Sequence, residues 1–371
     1  METIDTLIIG AGVIGLALAR RLSAEGPLAV LESEWQAGTQ LSSHNSEVIH
    51  AGLYYPPDSG KASLCVSGMG QLYDYAKAKR IPYRRCGKLV LACDHSEEAG
   101  LQALYQRARE NGVEGLSLLN RRALARQEPW LSCHAALHSE HSGIIDSHTL
   151  MQQLAKEAQE NGALLGYRQQ VINIALSEQG FRVTVRNHSP VASDYTLCCR
   201  RLINAAGLGA VPLLHAMDGF PAEQLPHQRF ARGNYYNLRG RSPSQRLIYP
   251  LPDVHGLGIH LTVDLAGQAR FGPDVEWLDQ PDWRVNETRR QQFVSAIRRY
   301  WPSLDADRLS PAYAGLRPKL FFDNTPLTDF LIQGPAQHGL PGLINLLGIE
   351  SPGLTAALAI ADRVYTLLNE T

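Results

Sequence analysis

Apolar residues fall along this chain in two alternating periods. Thr6-Leu7-Ile8-Ile9 is an unbroken, β-branched apolar run, the pattern of a strand buried on both faces. Directly after it Leu16, Ala19 and Leu22 recur at helical spacing, Gly26-Pro27 stops that helix, and residues 28–31 form a second short strand ending at Glu32. Farther on, Asp146 or Ser147 caps a predicted helix whose apolar face is Leu150, Leu154 and Ala158, with Gly162 past its end. Residues 171–176 and 181–185 alternate as strands around the turn residues Glu178-Gln179-Gly180. Leu202-Ile203 is another apolar strand, and it runs into Asn204-Ala205-Ala206-Gly207.

The stretches between these elements read differently. One contains an amphipathic helix around Leu101, Leu104 and Ala108 that stops near Asn111-Gly112. Another is rich in Pro and Gly, with strands predicted at residues 247–251 and 257–263. The chain finishes at residues 348–368 with small residues ahead of a long apolar helix. The expected architecture is α/β. A Rossmann-like domain of residues 1–55, 147–210 and 314–371 is interleaved with an α+β domain of residues 56–146 and 211–313, built on a mixed or antiparallel sheet.

Composition narrows the class. A length of 371 residues exceeds what one compact core usually holds, and 44% hydrophobic with 19% charged residues excludes a disordered chain. With 35 basic against 36 acidic side chains there is no cationic excess to displace counterions from phosphates, so no nucleic-acid partner is expected. The longest apolar candidate, residues 7–19, holds three glycines between Asp5 and Arg20 and is too short to span a bilayer. No basic region precedes an apolar stretch at the N-terminus, and the six cysteines include no Cys-x-x-Cys pair, so reduced thiols, a cytoplasmic location and no metal site are expected.

The candidate chemistry begins at Gly10-Ala11-Gly12-Val13-Ile14-Gly15, which stands between a strand and a helix as a dinucleotide-binding turn requires. Gly10 permits the tight turn, Gly12 lets the backbone approach a pyrophosphate, and Gly15 with Ala19 lets the helix pack closely. The pyrophosphate then sits on the N–H groups at the positive helix end, around Val13 and Ile14. Glu32 is placed to accept hydrogen bonds from ribose hydroxyls, and its charge disfavours NADP. The motif alone does not separate FAD from NAD.

Residues 10–32, Ala205-Ala206-Gly207 and the Gly-rich start of the last helix resemble the D-amino-acid oxidase-like superfamily of FAD oxidoreductases, over essentially the whole chain. Within it, the block from Ser43-His44-Asn45-Ser46-Glu47 to His50-Ala51-Gly52-Leu53-Tyr54-Tyr55 is similar to the L-2-hydroxyglutarate dehydrogenase/oxidase family. Also similar are Cys86-Gly87-Lys88-Leu89, Ser142-Gly143-Ile144-Ile145-Asp146, Tyr249-Pro250-Leu251-Pro252-Asp253 and Gly258-Ile259-His260-Leu261-Thr262; Phe271-Gly272-Pro273-Asp274 is a weaker match. There are departures: the insert after Asp274 is shorter, Glu47 stands where a glycine is typical, and Ala314-Gly315-Leu316-Arg317-Pro318 is similar to the glycine oxidase branch.

The resemblance implies FAD as cofactor, with Ser42, Ser43, His44, Asn45 and Ser46 beside the flavin and Val171, Ala206 and Gly207 among its further contacts. Some relatives attach flavin covalently through a histidine in the neighbourhood of His44. Gly348, Glu350, Ser351, Pro352, Gly353, Leu354 and Thr355 open the last helix, whose N–H groups are expected to face the flavin pyrimidine ring. The same residues also read as an ordinary helix start, with Ser351 as cap and Pro352 at the first helical position; Glu350 has no sequence-level account. Arg317, read as part of a rigid turn, is the expected clamp for a substrate carboxylate.

His50 and His260 are the expected proton acceptors near the substrate, and Tyr54 and Tyr249 line its pocket. Lys61 and Lys88 are candidates to approach a second carboxylate of a dicarboxylic substrate, but such side chains are more often solvated and neither is assigned a role. The implied reaction is oxidation of a small 2-hydroxy acid resembling L-2-hydroxyglutarate by hydride transfer to flavin N5. Glycine or D-amino acid oxidation is the alternative, and a non-catalytic flavoprotein a third reading. Oxygen, a quinone or another protein remain open as electron acceptor, a quinone implying peripheral membrane contact.

Overall fold

The computed structural model describes residues 3–189, 193–251 and 258–369. The chain divides into two compact units, one of Met1–Ser43, Ser147–Arg229 and Pro318–Thr371, the other of His44–Asp146 and Phe230–Arg317.

In the first unit the apolar runs become neighbouring parallel strands, in the order Leu164–Gly166, Leu28–Leu31, Thr3–Ile9, Tyr195–Asn204 and Leu343–Leu347. Strands buried on both faces must be apolar at every position, which is why Leu28–Leu31 and Leu343–Leu347 show no alternation. The hairpin Gln169–Ser177 and Gly180–Asn187 adds an antiparallel edge, and Gly180–Asn187 alternates because one face is open to solvent. Helix Val13–Leu22 packs against helices Ser147–Glu160 and Gly353–Asn369. Its Leu16, Ala17, Leu18 and Ala19 are fully buried, and each Leu side chain so removed from water contributes about 2 kcal/mol.

The second unit centres on a mixed sheet in which Lys88–Ala92 pairs parallel with Leu247–Pro250 and antiparallel with Ala135–Ser139. The order continues through Leu261–Val263, Ala269–Phe271, His227–Leu238 and Leu309–Phe322. A small sheet of Val48–Ile49, Gly143–Ile145 and Tyr83–Arg84 and the helices Gly60–Lys79, Glu98–Glu110 and Arg290–Arg298 complete it. Tyr236, Phe271, Phe293, Tyr300 and Trp301 pack in its main core.

Several expectations shift. Residues 44–55 fall with the second unit, because Val48–Ile49 hydrogen-bonds to Gly143–Ile145. Residues 211–229 fall with the first, because Val211, Leu213, Leu214, Met217 and Phe220 pack in its core. Arg317 is not at a turn: it and Pro318 lie inside the long strand Leu309–Phe322. The strand expected at 257–263 covers Leu261–Val263, and Pro252, Asp253 and Leu257 lie outside the described residues. The last helix begins at Gly353, one residue later than a start at Pro352. All six cysteines are free thiols. Among the described residues no helix is long and apolar enough to cross a membrane.

Candidate active site

In the first unit the three glycines of the turn do different jobs. Gly10 has φ +99°, and a Cβ there would lie 2.5 Å from the Ala205 carbonyl oxygen. A Cβ on Gly15 would lie 1.9 Å from the Gly10 carbonyl oxygen. Both glycines are therefore demanded by the protein's own packing. Gly12 is different: its φ of −73° and ψ of 178° suit any residue, and an added Cβ would meet only Ser42 Oγ at 3.0 Å. A glycine that the chain does not need for itself leaves room for something else. The helix N-terminus beside it has no acidic residue in its first turn, and Ser42 Oγ accepts from the Val13 N–H at 3.0 Å.

Glu32 lies buried at the end of its strand. Its Oε2 accepts from the Ala11 N–H at 2.7 Å, and its Oε1 accepts from the Ser33 hydroxyl at 3.1 Å and the Glu34 N–H at 3.0 Å. These bonds fix the carboxylate beside the glycine turn. The Gln169 N–H donates to the Glu32 carbonyl at 2.7 Å, which brings the start of strand Gln169–Ser177, and with it Val171, to the same end of the sheet. Ala205 N–H donates to the Ile9 carbonyl, so Ala206 and Gly207 follow directly beside the turn. The open face at Gly12, the helix end and the fixed acid fit a dinucleotide.

At the last helix the Gly353 N–H donates to the Glu350 carbonyl and the Ala356 N–H to the Pro352 carbonyl. Glu350, unaccounted for from sequence, is ion-paired with Lys319 Nζ at 2.6 Å, so its charge is offset locally.

The second unit gathers a buried polar cluster. Lys88, expected in solvent, is 0% exposed. Its Nζ lies 3.5 Å from His50 Nδ1, 4.2 Å from the centre of the Tyr249 ring and 5.6 Å from that of Tyr54. His260, just ahead of strand Leu261–Val263, stacks on Tyr249 with ring centres 3.5 Å apart and planes at 11°. Lys61 is buried too.

Alongside, Tyr235 and Tyr313 stack at 4.5 Å. Arg270 Nη1 donates to Tyr313 Oη at 3.2 Å, and that hydroxyl donates to the Asn45 carbonyl. His44 packs on Trp283 with ring centres 4.6 Å apart. A Cβ on Gly315 would lie 2.4 Å from the His44 carbonyl oxygen, so the strand that carries Arg317 and the His44 backbone touch. Arg317 Nη2 donates to the Asp274 carbonyl at 2.6 Å, and the Asp274 carboxylate is held by Asn234 and Arg289.

Electrostatics sort these groups. Burial first, then the Lys88 charge and His260, hold His50 well below its ordinary value, so its imidazole is neutral near pH 7. Burial lowers Lys88 to about 8, against a smaller opposite pull from Cys65 and Cys86. Burial raises Tyr54, Tyr235 and Tyr249, which stay protonated donors.

The structure thus brings His50, His260, Tyr54 and Tyr249 together with Lys88, which had been left without a role, and adds Tyr235, Arg270, Tyr313 and Trp283, which sequence reasoning missed. For Lys88 a signal existed: it opens Lys88-Leu89-Val90-Leu91, an otherwise apolar strand of the doubly buried kind. Elsewhere in this unit His95, Glu98 and His134 place ligand-type atoms within 4.8 Å of one another, although no metal site was expected. Both imidazoles bond to the Glu98 carboxylate at the surface, His95 at 2.9 Å and His134 at 2.8 Å.

The family described as DAO, FAD dependent oxidoreductase, matches residues 5–367. The mitochondrial L-2-hydroxyglutarate dehydrogenase of Arabidopsis thaliana is 40% identical over 400 residues, covering 98% of this chain and 83% of that protein. Among solved structures, the dithionite-reduced L-alpha-glycerophosphate oxidase of Mycoplasma pneumoniae with FAD bound is 28% identical, with a TM-score of 0.87 over 100% of this chain and 95% of that one. Glycine oxidase from Geobacillus kaustophilus shares the fold, with a TM-score of 0.80 at 19% identity over 100% of this chain and 96% of that one.

Proposed function

Since the chain belongs to the DAO family of FAD-dependent oxidoreductases, we propose that it oxidises a small 2-hydroxy acid of the L-2-hydroxyglutarate type to the 2-oxo acid. Bound FAD supplies the hydride acceptor. The chain's own residues must grip a carboxylate, take the hydroxyl proton and keep water away from the reacting carbon.

Arg317 is our candidate for the grip. Among the described residues its guanidinium spends one N–H on the Asp274 carbonyl, which aims it while leaving donors for a bidentate carboxylate. His50 is our candidate for the proton, with His260 as second choice. The observation that carries the reading is the placement of His50 Nδ1 3.5 Å from the buried Lys88 ammonium; burial and that charge hold the imidazole below its ordinary value, which leaves an uncharged base beside a cation that attracts an anion. In the first unit we assign the cofactor to Gly12, Val13, Ile14, Glu32, Ala206, Gly207 and the start of the last helix. Six free thiols fit a reducing compartment, and the cytoplasmic placement rests on that.

Anaerobic bleaching of the yellow protein tests the reading. L-2-Hydroxyglutarate, its D-enantiomer, lactate, malate, glycine and sarcosine form the panel. Rapid bleaching by an L-2-hydroxy acid is expected. Bleaching by amino acids alone would move the chain to amine oxidation, the alternative that the Ala314 to Pro318 segment and the shorter insert favour. Reoxidation by oxygen or by a quinone then identifies the acceptor.

A further inference from the structure

A buried ammonium with no counter-ion is an incomplete site. Lys88 is fully buried, and among the described residues no carboxylate pairs with it. Its one polar contact is His50 Nδ1 at 3.5 Å, too long for a strong hydrogen bond. Its other neighbours are the faces of Tyr249 and Tyr54 and the thiols of Cys65 and Cys86. Three N–H donors thus find one marginal acceptor between them. In the same cluster the Tyr54 hydroxyl is buried and has no hydrogen-bond partner. Buried donors are normally satisfied, and a partnerless hydroxyl beside an ammonium with one marginal acceptor points to a missing acceptor.

We propose that Lys88 and Tyr54 form an anion site for the second carboxylate of a dicarboxylic 2-hydroxy acid. The inference rests on the reaction proposed above and deepens it by naming what sets the substrate class. Arg317 offers a planar fork suited to one carboxylate, whereas Lys88 offers a point charge that tolerates a range of approach angles. The cluster also couples recognition to chemistry. The Lys88 charge weakens His50 as a base, and a carboxylate on Lys88 offsets that charge, so the imidazole becomes more basic when the correct substrate is bound.

The test compares the FAD-loaded wild type with Lys88→Met in anaerobic flavin reduction. The substrates are L-2-hydroxyglutarate and L-2-hydroxyvalerate, which has the same chain length and no second carboxylate. Wild type should prefer the dicarboxylate, and Lys88→Met should shrink the ratio of the two efficiencies by about a hundredfold, the worth of a charged contact. Lys88→Arg should restore part of the ratio, and Tyr54→Phe should lower it by about tenfold.

An absent wild-type preference, or parallel losses with both substrates, would overturn the assignment and leave Lys88 a proton-handling or structural role. If neither acid reduces the wild type, the proposed reaction fails, and calorimetric titration with glutarate and butyrate decides the subsite separately. Tighter glutarate binding that Lys88→Met abolishes would keep it. Equal binding of the two acids would remove it.

Discussion

Burial, the Lys88 charge and His260 all hold the His50 imidazole below its ordinary value of 6.5, so it can accept a proton throughout the neutral range and loses that ability only in acid. Lys88 works in the opposite sense: its ammonium is present below about 8 and is lost as the pH rises through that value. The other groups facing the pair, Cys65, Cys86, Tyr54 and Tyr249, are raised by burial and stay protonated across this window. The efficiency kcat/KM reports the free enzyme. For a dicarboxylate it should therefore be bell-shaped, with its acid limb below 6.5 and its alkaline limb near 8. In Lys88→Met the alkaline limb should disappear while the acid limb moves upward, because a positive neighbour of His50 is gone. An unchanged profile in that variant would remove Lys88 from the site. Glu47 shows how local geometry explains a sequence oddity. Its φ is +56°, the left-handed region where glycine is at ease, and the Asn45 side chain holds it there by accepting from the Glu47 N–H at 2.7 Å.

Among the elements, the turn from strand Thr3–Ile9 into helix Val13–Leu22 allows two neighbouring glycines to be told apart. Gly15→Ala would drive a methyl into the Gly10 backbone carbonyl, and should destabilise the protein whether or not cofactor is present, by about 1–3 kcal/mol. Gly12→Ala asks only that Ser42 Oγ give way by a few tenths of an ångström, so it should keep its circular dichroism and lose flavin during purification. Wild-type flavin content in Gly12→Ala would sink the cofactor assignment there. This turn was legible from sequence because strand, glycines, helix and acid are contiguous within residues 6–32. The hairpin and the helix Ser147–Glu160 were legible for the same reason, each carrying its own period and punctuation. The cluster in the second unit was legible only in part: resemblance named His50, His260, Tyr54 and Tyr249, but not the packing that gathers them around Lys88. His50, Lys88, Tyr249 and His260 come from separate elements, and only the parallel pairing of Lys88–Ala92 with Leu247–Pro250 sets Lys88 beside the strand that carries Tyr249. A lone lysine reads as solvated until its neighbours are known. Arg317 was misread locally because Gly315 and Pro318 are turn residues by habit; here Gly315 serves close approach to the His44 backbone inside a strand.

Over the whole molecule, the chain leaves the first unit and returns to it twice. Its central parallel sheet is therefore assembled from three distant segments: Thr3–Ile9 and Leu28–Leu31 from the first, Leu164–Gly166 and Tyr195–Asn204 from the second, Leu343–Leu347 from the third. The residues assigned to FAD are divided the same way, with Gly12 and Glu32 in the first segment, Ala206 and Gly207 in the second and Gly353 in the third. A ligand held by all three ties together pieces that the sequence keeps apart, and it binds only where they are already assembled. Its free energy of binding then adds to that of folding, by about 2.7 kcal/mol when the ligand stands at a hundred times its Kd. For a unit of this size that corresponds to about 5–10 °C in melting temperature. Protein stripped of flavin should melt lower by that amount, and added FAD should restore the difference in a concentration-dependent way. NAD, which lacks the isoalloxazine ring that the third segment is assigned to meet, should restore little of it. Equal rescue by NAD would mean that the last helix takes no part in binding, and that the first two segments alone form a general dinucleotide site.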